Sequence, residues 1–193
     1  MATTSNFTIE EIRHRFQLRE ENYRIPLGYT CAAVLLPLLY VGNQLSLIFT
    51  KRTSTVRDHQ NQISFPGGVC EASDKTLMET ALREVKEEIG LTIPIHAVIG
   101  NLKPRKTITR YYVAPYIAYV ESDIKIQSNP AEVLKVIVVP ISWLSDQNNF
   151  NIRSYERPGY KMHDVVFFKP YFGEVIWGIT AQIVLDFIEQ IKK

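Results

Sequence analysis

Apolar positions recur along this chain with two different periods, and the changes of period mark out its elements. Near the N-terminus Ile9, Ile12 and Phe16 recur at helical spacing behind Thr8, which predicts a short capped helix and then a polar link to Pro26. The apolar runs at 29–40 and 45–50, joined by Val41-Gly42-Asn43-Gln44, predict two strands and a hairpin turn. A short segment at 62–65 follows, and then a helix over about 75–89. Strands are expected near 95–102, 111–120 and 133–139, with another at 165–168. The last helix is expected over about 175–191, where Ile176, Ile179, Ile183, Val184, Phe187 and Ile191 form its buried stripe. There is no internal repeat, so strands mixed with a few helices predict an α+β chain or an α/β/α sandwich.

The helix at 75–89 carries more than a core stripe. At about 100° per residue, counted from Leu77, Glu84 falls near 340°, Glu87 near 280° and Glu88 near 20°. Leu77, Met78, Ala81, Leu82, Val85 and Ile89 occupy the adjoining arc. Acidic faces of this kind are commonly just solvated, yet like charges one turn apart repel by a few tenths of a kcal/mol per pair and invite compensation. Arg83 can pair with Glu87, which leaves Glu84 and Glu88 facing one another. Hard divalent cations bind such carboxylates, usually with phosphate oxygens completing the shell. Upstream, Gly67 and Gly68 after Pro66 read as a turn whose backbone can approach a ligand, and Gly90 stands where a helix C-terminal glycine belongs.

These residues resemble the Nudix hydrolases, whose signature is a glycine, five residues, a glutamate, seven residues, then R-E-U-x-E-E-x-G-U with U aliphatic. Arg83, Glu84, Val85, Glu87, Glu88, Gly90 and Leu91 match its second half in full. The first half departs: fourteen residues rather than thirteen separate Gly68 from Arg83, and the outer acid falls on Asp74 or Lys75. A coenzyme A-cleaving group within the family shares that extension, with an upstream motif similar to the stretch LIFTKRTSTVRDHQNQISFPGG. Thr50, Arg52, Arg57, Phe65, Pro66, Gly67 and Gly68 stand at its matching positions, while Thr53 replaces a serine and Asn61 a glycine. NPAEVLKVIVVPI and IWGITA resemble two further segments of that group, so the likeness spans roughly residues 30 to 190.

The resemblance implies a Nudix fold, with mixed sheets between helices, and the chain is read as one such domain over residues 1–193 that includes an N-terminal helical extension at 1–25. It implies a hydrolase that uses Mg2+ or Mn2+ to cut the diphosphate of coenzyme A or acyl-coenzyme A. Glu84 and Glu88 are the expected direct ligands, Glu87 a ligand directly or through water, and the Gly68 carbonyl a further oxygen. Arg83 is read as an orienter, although a plain helix salt bridge to Glu87 describes nearly the same contact. Glu132 is the first candidate for a base, with Glu121 and Asp123 behind it, and a solvated loop residue is its alternative reading. Arg52 and Arg57 are expected to hold phosphates together with Gly67 and Gly68, or else to form surface salt bridges. Strand alternation points Lys51 away from Arg52. His59 and His163 are read as non-ligands, and Phe65 and Trp177 as core. The alternatives are another Nudix substrate, such as ADP-ribose, NADH or a nucleoside triphosphate, and a catalytically silent nucleotide-binding module.

Composition changes little in this picture. A chain of 193 residues with 46% hydrophobic content suits one globular domain. A formal charge of +2 and no basic block argue against nucleic acid as a partner. The longest apolar run is broken by Pro37 and is too short to span a bilayer, so no membrane association is expected. Cys31 and Cys70 show no metal or disulfide spacing, and a reducing cytoplasm is the expected location. A homodimer is the assembly considered.

Overall fold

Twelve residues of almost unbroken apolar character, Thr30–Val41, form the central strand β1 of a mixed sheet. The computed structural model describes residues 7–18, 24–53, 62–121, 124–157 and 160–193. In chain order the elements are α1 (Ile9–Arg15), β1, β2 (Gln44–Arg52), β3 (Ile63–Ser64), β4 (Gly67–Val69), α2 (Leu77–Ile89), β5 (Val98–Asn101) and β6 (Arg105–Lys106). There follow β7 (Tyr111–Tyr119), β8 (Val133–Pro140), α3 (Ile141–Leu144), β9 (Phe150–Arg157), β10 (Tyr160–Phe168) and α4 (Gly178–Ile191). Eight strands make one sheet along the path β3-β2-β1-β7-β5, with β8 on β2, β4 on β1 and β6 on β7. β1 and β7 run parallel, and β9–β10 form a separate antiparallel ribbon.

β1 reads as a continuous apolar run because both of its faces are covered. Ala33, Leu35 and Leu39 pack with Ile48 against Ala81, Val85 and Ile89 of α2. Leu36 and Leu38 pack with Leu47 and Phe49 on the opposite face, where Ile12, Phe16, Val184 and Phe187 bring in α1 and α4. Helices on both faces make this the expected α/β/α sandwich. Thr8 caps α1 by accepting from Glu11 N, and Glu11 returns a contact to the Thr8 backbone N–H, a capping box. The ring of Phe16 stacks on Phe187 at 5.5 Å, which fixes the N-terminal helix to α4.

Three differences from the sequence reading have physical causes. Gly67 and Gly68 lie in strand β4, paired with Val34 and Ala33 of β1, rather than in a turn. At Gly67 a Cβ would lie 2.4 Å from the Ala33 carbonyl oxygen, so β4 needs its glycine for close approach to β1. The segment at 95–102 opens as a 3-10 turn, Ile95–Ala97, and only then becomes β5. Cys31 and Cys70 are joined in a disulfide, against the expectation of none. They stand 39 positions apart in sequence, but the Ala32–Val69 pairing of β1 with β4 brings their Cα atoms to 5.5 Å. No helix among the described residues is long and apolar enough to cross a membrane. Arg57, His59, Asn61 and Asp123 lie outside the described residues.

Candidate active site

Helix α2 begins at Thr76, whose side chain accepts from Glu79 N, and ends at Gly90 in the left-handed region at φ 72°. Its buried stripe lies on the sheet and delivers Glu88 into the interior, at 1% exposure. Thr50 Oγ1 donates to Glu88 Oε2 at 3.3 Å, and Arg52 Nη1 donates to Oε1 at the same distance. Both partners sit on one face of β2, two residues apart. Lys51, on the other face, pairs with Glu174 at 2.9 Å, as alternation along the strand requires.

Glu84 lies one turn before Glu88 and fills the space over Gly68. A Cβ at residue 68 would come within 2.4 Å of the Glu84 carboxylate, so this glycine sets the distance between strand and helix. Burial raises the affinity of Glu84 for a proton, partly offset by the hydrogen bond and charge of Arg83. The same effect pushes Glu88 up to about 8: burial comes first, Arg52 and Thr50 pull the other way, and the charges of Glu84 and Glu132 add to the rise.

Arg83 is the hub on the neighbouring face of α2. Its Nε and Nη2 donate to the two carboxylate oxygens of Asp74 at 3.0 Å each, and Nη2 also donates to the Val69 carbonyl at 3.0 Å. From Nη1 it reaches Glu84 at 2.9 Å and Glu87 at 3.0 Å. The orienter and salt-bridge readings of Arg83 therefore describe one contact set. Hydrogen bonds from Arg83 pull Asp74 down to about 2. Glu87 stands at the exposed rim of this group, with 51% of its side chain accessible.

The segment around Asn129 docks on the end of α2. Gln127 N donates to Ile89 O at 3.0 Å and Asn129 N to Glu88 O at 2.9 Å. Asn129 Nδ2 holds Glu132 Oε1 at 3.1 Å, and Thr53 N donates to the Glu132 carbonyl at 3.0 Å. Half-buried Glu132 thus belongs to the electrostatic field of Glu84 and Glu88. Glu121 is exposed. His163 is also exposed and meets the Ser154 hydroxyl at 3.4 Å. Phe65 is buried and stacked on Phe49 at 4.6 Å. Trp177 is only half-buried, stacked on Phe167 at 5.5 Å.

Two members of the site escape a motif reading. Asp74 appears in the sequence only as an outer acid out of step with the signature, and Thr50 only as a motif position without a role. The signal for Thr50 was its place two residues before Arg52 on the same strand face. For Asp74 it was a carboxylate just ahead of a helix whose arginine needed a bidentate partner.

Glu84 and Glu88 fit a divalent cation: both are carboxylates whose burial disfavours negative charge, and one basic partner each does not offset that burial. No three acidic, His or Cys side chains among the described residues converge into a complete cage.

The mixed sheet, its helices on both faces and the acidic helix over β4 define the Nudix fold, and residues 30–158 match the NUDIX domain. The chain belongs to the Nudix hydrolase family. It is 34% identical to the uncharacterized Nudix hydrolase NudL of Photorhabdus laumondii over 93% of this chain and 95% of that one. In structure it resembles a MutT/nudix family protein of Enterococcus faecalis, with a TM-score of 0.59, 14% identity and coverage of 97% of this chain and 71% of the other. It also resembles the NUDIX domain of Shewanella oneidensis NrtR complexed with ADP ribose, with a TM-score of 0.51, 19% identity and coverage of 63% and 80%.

Proposed function

We propose that this chain hydrolyses the diphosphate bond of coenzyme A or an acyl-coenzyme A, giving adenosine 3′,5′-bisphosphate and the (acyl-)4′-phosphopantetheine. The observation carrying this reading is the junction of Arg52 and Glu88: a motif arginine of β2 stands 3.3 Å from the buried acid of α2, so phosphate-binding and metal-binding groups share one locus. Glu84 and Glu88 are the ligands for Mg2+ or Mn2+ in this reading, with Glu87 directly or through water and the Gly68 carbonyl as further oxygens. When bound, the cation neutralises phosphate charge and lowers the pKa of water.

Around it the chain does the positioning. Arg83 holds Glu84 and Glu87 in place and is itself fixed by Asp74. Arg52 is free to exchange one hydrogen bond from Glu88 to a phosphate oxygen, and Arg57 is assigned to the same group of phosphate donors. Glu132 is the candidate base, held by Asn129 beside the two ligands. The catalytic unit is one domain comprising the whole chain, with 1–25 as its N-terminal extension. It acts on a small nucleotide, without nucleic acid or membrane, and a homodimer is the oligomer to test.

Product analysis on a panel of coenzyme A, ADP-ribose, NADH and nucleoside triphosphates, with Mg2+ or Mn2+ supplied, tests the reading. Coenzyme A should be cut fastest and at its diphosphate. Faster cleavage of ADP-ribose overturns the substrate, and no cleavage of any member overturns the activity.

A further inference from the structure

Thr50 is a polar side chain in an apolar place. Along β2, Ile48, Thr50 and Arg52 share one face by strand alternation, and Ile48 there packs against Ala81, Val85 and Ile89 of α2. Valine has the shape of threonine and carries no hydroxyl that burial would leave to be satisfied. Thr50 is nonetheless wholly buried, and its hydroxyl donates to Glu88 Oε2 at 3.3 Å. A buried hydroxyl aimed at a buried acid points to a task at that acid.

Glu88 needs such a partner because its own backbone fixes only part of it. The main chain is held within α2, and Asn129 N donates to the Glu88 carbonyl at 2.9 Å. Beyond Cα the side chain still turns about each of its single bonds, so where the carboxylate oxygens point depends on the donors that meet them. The two donors differ. Arg52 is the last residue of β2, beyond a shift of register against β8, and its long side chain is 25% exposed. Thr50 lies inside the sheet, paired with Ser64 of β3 and Val136 of β8, and its branched Cβ leaves it few rotamers. One donor can leave the carboxylate while the other is locked to it.

We infer that Thr50 is a positioning residue of the cation site, whose hydroxyl holds the Glu88 carboxylate in its ligating orientation when Arg52 turns from it to a phosphate oxygen. This rests on the reading of Glu88 as a metal ligand, but not on coenzyme A or any other particular substrate. Hydrogen-bond partners of metal ligands commonly set metal affinity in this way, by fixing the ligand before the cation arrives.

The test measures Mn2+ binding to the nucleotide-free protein by calorimetry in wild type, Thr50→Ser, Thr50→Val and Thr50→Ala. Thr50→Ser keeps the hydroxyl and loses the methyl, Thr50→Val does the reverse, and Thr50→Ala lacks both. A fixed carboxylate predicts affinities ordered by the hydroxyl, with Thr50→Ser within about threefold of wild type and both Thr50→Val and Thr50→Ala weaker by about 10- to 100-fold. A packing role predicts order by shape, with Thr50→Val like wild type and Thr50→Ser grouped with Thr50→Ala, and that result overturns the inference. So do four equal affinities, or loss of cooperative melting in chelator in both Thr50→Val and Thr50→Ala, which would make the hydroxyl a requirement of folding. Turnover on the nucleotide panel separates this role from the larger reading. A wild type that binds Mn2+ yet cuts nothing removes the hydrolase and leaves the role of Thr50 standing, whereas a cleaving wild type matched in Mn2+ affinity by Thr50→Val removes that role alone. Absence of Mn2+ binding by wild type overturns the metal ligands and Thr50 together.

Discussion

The carboxylate of Glu84 occupies the space that a side chain on Gly68 would need, 2.4 Å from the position of its Cβ. Gly67 has a neighbour of another kind, since its missing Cβ faces the Ala33 carbonyl oxygen at 2.4 Å and Val34 Cα at 2.6 Å. A flexible side chain can swing aside where backbone cannot. Gly68→Ala should therefore keep most of the stability, losing about 1 kcal/mol or less, while displaced Glu84 lowers turnover by roughly a hundredfold. Gly67→Ala should cost about 2–3 kcal/mol or more. Urea denaturation alongside steady-state kinetics separates the two.

Glu88 gives the metal-free protein a particular pH dependence. Its folded value of about 8 lies above the ordinary 4.5, so the folded state holds a proton that the unfolded chain releases. The associated stability is complete below about pH 4.5 and is lost as pH rises through about 8, a change on the order of a few kcal/mol. With chelator present, the melting temperature should fall across that window in wild type and much less in Glu88→Gln. Adding Mg2+ at pH 7 should release close to one proton from this group, measured by calorimetry in buffers of different ionisation enthalpy. Glu88→Gln should also lower turnover by at least a hundredfold at saturating metal.

Asp74 follows the opposite rule. Arg83 holds it down at about 2 against an ordinary 3.8, so its stabilisation is present above pH 3.8 and lost as pH falls towards 2. Replacing it by Asn should remove that acid-limb dependence and cost about 1–3 kcal/mol, because Arg83 loses its bidentate partner. Turnover should fall about tenfold as Glu84 and Glu87 lose a fixed arginine. Wild-type kinetics in Asp74→Asn would show that Arg83 needs no outer anchor.

The disulfide makes a simple prediction. Thiol titration of the unfolded protein should find none of the two cysteines free before reduction and both afterwards. In a chain-entropy account, a bond closing a loop of 39 residues contributes roughly 3–4 kcal/mol. Reduction should lower the melting temperature by on the order of 10 °C, read by calorimetry with and without dithiothreitol.

What the sequence made legible was whatever depends on local period. Helix α2 shows its acidic and apolar arcs because both repeat within thirteen residues, and its Gly90 terminus lies where the pattern ends. Opposite faces for Lys51 and Arg52 follow from strand alternation alone. Contacts made by the sheet could not be read that way. Cys31 meets Cys70, and Asp74 meets Arg83, through β4 lying against β1 and α2, and a glycine pair looks the same in a turn as in a crowded strand. The ribbon β9–β10 was caught only at its apolar end, where Val165, Val166, Phe167 and Phe168 are buried, because Asn151, Ile152, Arg153 and Ser154 are exposed and mix polar with apolar residues.

Among the described residues, that ribbon hydrogen-bonds strand to strand within itself and joins no edge of the eight-stranded sheet. Its backbone ladder therefore places no constraint on β1, β4 or α2, and the ribbon meets the rest of the fold through the buried Val166 and Phe168. Substitutions confined to the exposed Asn151, Ile152, Arg153 and Ser154 can therefore accumulate without reaching the buried acids of α2.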